Sequence, residues 1–190
     1  MRIVAGKYKG ATLYITDDKS TRPLKDMVRE SIFNLLNHSN KISFVLKKAK
    51  ILDLYSGTGS FGLECLSREA QTVYFVEKDK NAISTLEKNI SKLNLKNKAK
   101  IFFDDVFKLI EKENYLNTKF NLIFCDPPYK DEKINRLIKL IFDKDLLKEN
   151  GIIIIHRNKG TMDKLPNFFQ SIDERNYGMS KIIFGKFILW

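Results

Sequence analysis

Cysteine and histidine are scarce: Cys65, Cys125, His38 and His156 are all that 190 residues contain of either type. Both thiols fall inside apolar segments. This excludes a disulfide framework or a zinc cluster as the device holding the chain together, and predicts buried free thiols in a reducing compartment. Neither histidine has a partner of identifiable type at a useful spacing, so both read as surface or structural groups. No apolar run approaches the ~20 residues that span a bilayer. The start, Met1-Arg2-Ile3-Val4-Ala5-Gly6-Lys7, lacks the long apolar stretch of a signal peptide. The expectation is a soluble, cytoplasmic protein without membrane contact. There is no internal repeat and no low-complexity segment, and a chain of this length can bury a full core as one compact unit.

Acidic residues are the minority charge, 23 against 34 basic ones, for a formal net charge of +11. The excess is uneven. Residues 1–50 hold 11 Lys/Arg and 4 Asp/Glu, a balance of +7, leaving +4 for the remainder. Arginine is the rare cation, 7 against 27 lysines, yet Arg2, Arg22 and Arg29 all fall in the first 29 residues. Arginine makes forked contacts with phosphate that lysine cannot, so this cluster points to a polyanion site; the bland alternative is a solvated basic face.

Residues 2–15 are two short β-prone runs around Gly6 and Gly10, read as a hairpin. With Arg2, Lys7 and Lys9 on a small element with little core, it reads as an attached arm. Ser20-Thr21-Arg22-Pro23 opens a helix, with Leu24, Val28, Ile32, Leu35 and Leu36 along one face and Arg29 off that stripe. Residues 37–49 form a polar, basic link. The division expected is an extension over 1–49 and a main domain over 50–190.

From Lys50 strands and helices alternate: strands at 51–55, 72–77, 100–103, 120–125 and 151–155, and helices at 61–68, 79–93, 106–112 and around 134–141. The alternation predicts an α/β fold, a mostly parallel twisted sheet with helices on both faces and ligands at the carboxyl ends of the strands. Two runs at 168–172 and 181–189 close the chain as an antiparallel hairpin. No surplus apolar element is evident, which favours a monomer.

Asp53-Leu54-Tyr55-Ser56-Gly57-Thr58-Gly59 ends the first strand and turns into a helix, and Glu77 ends the second strand 20 residues after Gly57. Glycines allow a tight turn and close approach of a ligand to the backbone, and the acid suits ribose hydroxyls, with Lys78 beside it. This describes a nucleoside cofactor site including Tyr55, Ser56, Gly57 and Gly59. The spacing alone does not separate nicotinamide from S-adenosylmethionine; Asp53 favours the latter, because a carboxylate suits a methionine ammonium and sits badly beside a pyrophosphate. Asp105 is placed to receive an adenine amino group or to cap the next helix. After the fourth strand, Asp126-Pro127-Pro128-Tyr129 is a rigid corner with a carboxylate, carbonyl acceptors and a flat ring, suited to a planar base with an exocyclic amine.

Asp53 to Gly59 with Glu77 and the Asp-Pro-Pro-Tyr corner resemble class I S-adenosylmethionine-dependent methyltransferases with a Rossmann-like fold. Arg2-Ile3-Val4-Ala5-Gly6, Thr21-Arg22-Pro23, Val28-Arg29-Glu30, Tyr177-Gly178 and Lys181 resemble one subgroup, the bacterial RsmD family of 16S ribosomal RNA guanine-N2 methyltransferases. The resemblance implies S-adenosyl-L-methionine as methyl donor with no metal, and 16S rRNA or a partly assembled 30S subunit as partner. It also implies catalytic roles for Asp126, Pro127, Pro128 and Tyr129, with RNA contacts from Arg2, Lys7, Lys9, Arg22 and Arg29. DNA adenine-N6 methyltransferases share Asp-Pro-Pro-Tyr but carry an additional target-recognition domain, and protein-glutamine methyltransferases carry Asn in place of Asp126. A ribosome-assembly factor without turnover is the non-enzymatic rival. One departure stands out: where the family often has an acid at the end of the fifth strand, this chain has His156-Arg157, expected to add positive charge at the rim of the site.

Overall fold

A computed structural model describes residues 1–16, 24–112, 115–128 and 131–188. In chain order it contains α1 (Asp26–His38), β1 (Lys50–Leu54), α2 (Ser60–Ser67), β2 (Thr72–Glu77), α3 (Lys80–Lys92), β3 (Ala99–Phe103) and α4 (Val106–Glu111). These are followed by β4 (Phe120–Cys125), α5 (Ile134–Asp143), β5 (Leu147–Asn158), β6 (Phe169–Tyr177) and β7 (Ser180–Phe187). The strands form one sheet in the order β3-β2-β1-β4-β5-β7-β6, parallel from β3 through β5, with β7 and β6 antiparallel at one edge.

The central strands are apolar throughout because both faces are covered. Ile51, Leu122, Phe124, Ile152 and Ile154 pack on the side of α1, α2 and α3, while their neighbours Leu52, Leu54, Ile123, Cys125, Ile153 and Ile155 pack under α4 and α5. The strand period of two thus splits one unbroken hydrophobic run between two cores. β5 is longer than the expected 151–155: its start pairs Leu147 with Phe120, and its end is held by β7 through Asn158 and Ser180. The expected opening of the first helix at 20–23 lies outside the described residues.

The N-terminal hairpin forms, with Ile3 and Ala11 bonded N to O at 2.9 Å, but it is no loose arm. Ile3 and Leu13 are buried in the same core as Phe61 and Leu63 of α2, and the 37–49 link contributes buried Ile42, Leu46 and Ala49. Polar contacts complete the docking: Glu64 of α2 accepts from Val4 N at 2.8 Å and Ala5 N at 2.9 Å, and Lys7 N donates to Ser67 O at 2.7 Å. Gly6 is required at this contact, since its φ is +81° and a Cβ there would lie 2.1 Å from Ser67 O.

Candidate functional site

Strand order reverses between β1 and β4, and the register sets Leu54 beside Cys125. The residues that follow, Tyr55 to Gly59 on one side and Asp126 to Pro128 on the other, therefore share the carboxyl rim of the sheet at its switch point. Asp126 N reaches Leu54 O at 3.4 Å across this junction. The glycine turn crosses it through left-handed residues: Tyr55 at φ +60°, Gly57 at +55° and Gly59 at +87°. Its shape is held by Ser56 N to Val76 O at 3.0 Å and Gly57 N to a Glu77 carboxylate oxygen at 2.9 Å. Gly62 lets α2 lie close on β2, because a Cβ there would meet the Phe75 ring at 2.3 Å.

Two observations fit this turn to a ligand. The Ser56 hydroxyl is buried with no hydrogen-bond partner among the described residues, and buried polar atoms are ordinarily satisfied. The direction a Cβ would take from Gly57 is open space within 4 Å.

Asp53 is buried and accepts from Gly62 N at 3.0 Å. Burial pushes its carboxyl well above the usual aspartate range; the Gly62 bond pulls the other way, while the Asp126 and Glu77 charges add to the rise. A cation beside it would relieve that penalty. Glu77 accepts from Gly57 N, Lys78 N and Asp79 N, so of the roughly four lone-pair sites of a carboxylate one remains for a hydroxyl. Asp105 caps α4 by accepting from Phe107 N at 3.0 Å and pairs with exposed Lys78 at 3.3 Å. Desolvation raises its pKa, but the Lys78 ammonium and the backbone N–H groups of α4 outweigh it and leave the carboxyl below its ordinary value.

At the corner, Pro127 is buried and Pro128 exposed; Tyr129 lies outside the described residues. The Pro128 carbonyl accepts from Asp131 N at 2.8 Å and from Arg157 at 3.3 Å. Arg157 does not add charge to the rim as expected. It is fully buried, its guanidinium bonded to both oxygens of Asp163 at 2.9 Å and to Asp131 O at 2.6 Å, so it serves as a neutralised clamp on the loop after the prolines.

His156 is the site residue that sequence spacing does not reveal. Its Nδ1 lies 2.7 Å from Asp126 Oδ1 and its Nε2 2.9 Å from Ser180 Oγ. Both partners are more than 20 residues away in sequence, which hides them from any spacing rule. The available signal is that Asp126 and His156 each follow an apolar strand core, and in a parallel pair with Cys125 beside Ile155 the next residues become neighbours. Burial pushes the Cys125 and Cys65 thiols up, which disfavours the reactive thiolate at both positions. Among the described residues no group of three or more His, Cys, Asp or Glu is close enough to hold a metal ion.

Arg2, Lys7 and Lys9 are exposed on the hairpin; Arg22 lies outside the described residues. Arg29 is a correction. Instead of facing a phosphate it is fully buried, donating to Arg2 O and to Asp26 at 2.9 Å with its Nε 3.6 Å from buried Glu64. Two residues of α3 hold the hairpin, and one of them, Asn89, also reaches the glycine turn. Asn89 of α3 accepts from Tyr14 N at 2.7 Å and donates to Thr58 O at 3.1 Å, and Lys92 lies 4.7 Å over the half-exposed Tyr14 ring.

Residues 1–186 match the family described as Conserved hypothetical protein 95. The ribosomal RNA small subunit methyltransferase D of Buchnera aphidicola (subsp. Baizongia pistaciae) is 32% identical over 165 residues, 87% of this chain and 79% of that one. The protein of the same name from Escherichia coli K12 is 31% identical over 155 residues, 82% and 73% of the two chains. The solved structure of Escherichia coli yhhF superposes with a TM-score of 0.85 at 25% identity, covering 100% of this chain and 99% of that one. SMU.776 in complex with SAH shares the fold, with a TM-score of 0.63 at 18% identity over 83% of this chain and 48% of that one. A match running nearly end to end, on a sheet that brings the glycine turn and the Asp-Pro-Pro corner to one rim, shows that the chain belongs to the RsmD family of methyltransferases.

Proposed function

We propose that the protein methylates the exocyclic N2 amine of a guanine in 16S ribosomal RNA. The observation that carries the reading is the register of β1 and β4, which sets the glycine turn beside the corner that would hold the acceptor base. When bound, S-adenosyl-L-methionine supplies a methyl group activated on a sulfonium. Asp53 would take the ammonium of its methionine end, Glu77 one ribose hydroxyl, Asp105 the adenine amine, and Ser56 and Gly57 the adjoining backbone contacts. Lys78, paired with Asp105, would keep that acid ionised.

A guanine amine is a poor nucleophile because its lone pair is delocalised into the ring. Hydrogen bonds accepted by the Asp126 carboxylate and the Pro127 carbonyl favour a pyramidal nitrogen whose lone pair faces the methyl group. Pro128 and Arg157 hold the corner rigid, and such alignment can supply about 7–11 kcal/mol of the barrier reduction. Tyr129 would stack on the base for roughly 1–3 kcal/mol. The base must be unpaired or flipped out to enter, with Arg2, Lys7 and Lys9 on neighbouring phosphates and Arg22 expected to join them.

The test is transfer of tritiated methyl to naked 16S RNA, assembled 30S particles and duplex DNA, followed by nucleoside analysis of the labelled product. Label at guanine N2 in either ribosomal sample is expected, and lost in Asp126→Ala with cofactor affinity preserved. Label in DNA alone would overturn the substrate assignment and favour adenine-N6 chemistry.

A further inference from the structure

We infer that His156 and Ser180 are positioning residues that orient the Asp126 carboxylate toward the acceptor amine; this rests on the proposed reaction. The rim geometry separates the two oxygens of Asp126. Its side chain is 21% exposed, while the imidazole behind it is 7% exposed and reaches one oxygen, Oδ1, at 2.7 Å. That length is typical of a charge-assisted bond. An ionised carboxylate only accepts, so Nδ1 must carry the proton. On a ring carrying one proton, Nε2 then has a lone pair, and the Ser180 hydroxyl, 2.9 Å away and also buried, is placed to donate to it. Serine thereby selects the tautomer, and the tautomer secures the acid.

The support for this pair is rigid. His156 lies in β5 between β4 and β7, with Ile155 beside Cys125 on one side and His156 opposite Ile182 on the other. Ser180 begins β7, and Lys159 N bonds Met179 O at 2.8 Å next to it. A ring held in β5 restrains the Asp126 side chain through Oδ1 and places no bond on Oδ2, which the substrate amine can take. A free carboxylate would sample other rotational settings and lose the alignment on which amine activation depends.

The test pairs kinetics with a measurement that needs no substrate. His156→Ala should lower kcat on the order of 10- to 100-fold with KM for S-adenosylmethionine and RNA unchanged. His156→Asn, whose amide N–H falls near the Nδ1 position, should restore most of that loss, and Ser180→Ala should lose less than His156→Ala. An unchanged kcat in His156→Ala, or an Asn variant no better than Ala, overturns the inference. In parallel, ¹⁵N-histidine NMR of the wild type has two rings to assign, and His156 should report the Nδ1–H tautomer, moving to a mixture in Ser180→Ala and in Asp126→Ala. An Nε2–H tautomer in the wild type overturns the pairing whatever the substrate. A wild-type enzyme that labels no RNA defeats the proposed reaction, whereas RNA labelling with an Nε2–H ring defeats the positioning role alone.

Discussion

Truncating Glu64 to alanine tests whether the N-terminal hairpin is an integral part of the fold. The side chain has no exposed surface, and its oxygens accept from Val4 N at 2.8 Å, Ala5 N at 2.9 Å and Arg68 Nε at 2.9 Å, with Arg29 Nε at 3.6 Å. Alanine removes these interactions together and leaves the buried Arg29 guanidinium with Asp26 and the Arg2 carbonyl. Breaking a buried pair by deleting one partner costs about 3–5 kcal/mol. At ~2–4 °C per kcal/mol for a chain of this size, the melting midpoint should fall by roughly 6–20 °C. Glu64→Gln should lose less, since its amide oxygen still accepts. Adding Arg29→Met to Glu64→Gln should recover part of the stability, because the fully buried Arg29 charge is then removed along with its partner. Thermal denaturation gives the midpoint, and amide hydrogen exchange at Val4 and Ala5 locates the loss; those amides should lose protection first. An unchanged midpoint with protection retained at Val4 and Ala5 would refute the view that this carboxylate anchors the hairpin.

Asp53→Asn should raise stability at neutral pH. The native state holds the aspartate proton more readily than the unfolded chain, so wild-type stability is fully present below the ordinary aspartate range and declines as pH rises through the elevated native value. The gap between Asn and wild type in melting temperature should close on acidification; a gap independent of pH would exclude the buried charge as its cause, and the same variant should weaken S-adenosylmethionine binding. Gly62→Ala places a Cβ 2.3 Å from the Phe75 ring, an overpacking worth about 1–3 kcal/mol; urea denaturation unchanged from wild type would show that α2 can shift without cost. Replacing Arg2, Lys7 and Lys9 together by alanine should weaken RNA binding and flatten its salt dependence, by about 0.7–0.9 in log–log slope for each phosphate no longer neutralised. A slope equal to the wild type would remove the hairpin from the RNA interface.

The alternation of apolar strands with amphipathic helices was legible in the chain, as were Asp53, the glycine turn, Glu77 and the Asp-Pro-Pro corner. Each is local: strand period, left-handed glycines and a proline stop act over a few residues and need no partner from elsewhere. Tertiary structure decided the rest through pairings between distant segments. The spacing of Leu24, Val28, Ile32, Leu35 and Leu36 leaves Arg29 off the expected stripe, yet the face α1 buries is Val28, Arg29, Ile32, Phe33 and Leu36, where Glu64 of α2 offers a buried counter-charge and the hairpin closes over both. Arg157 is neutralised by Asp163, and His156 gains meaning from Asp126 and Ser180, which strand register brings to it from 30 and 24 residues away. A burial pattern records how apolar a position is, whereas the fate of a buried charge depends on what lies opposite it, and only the folded chain specifies that.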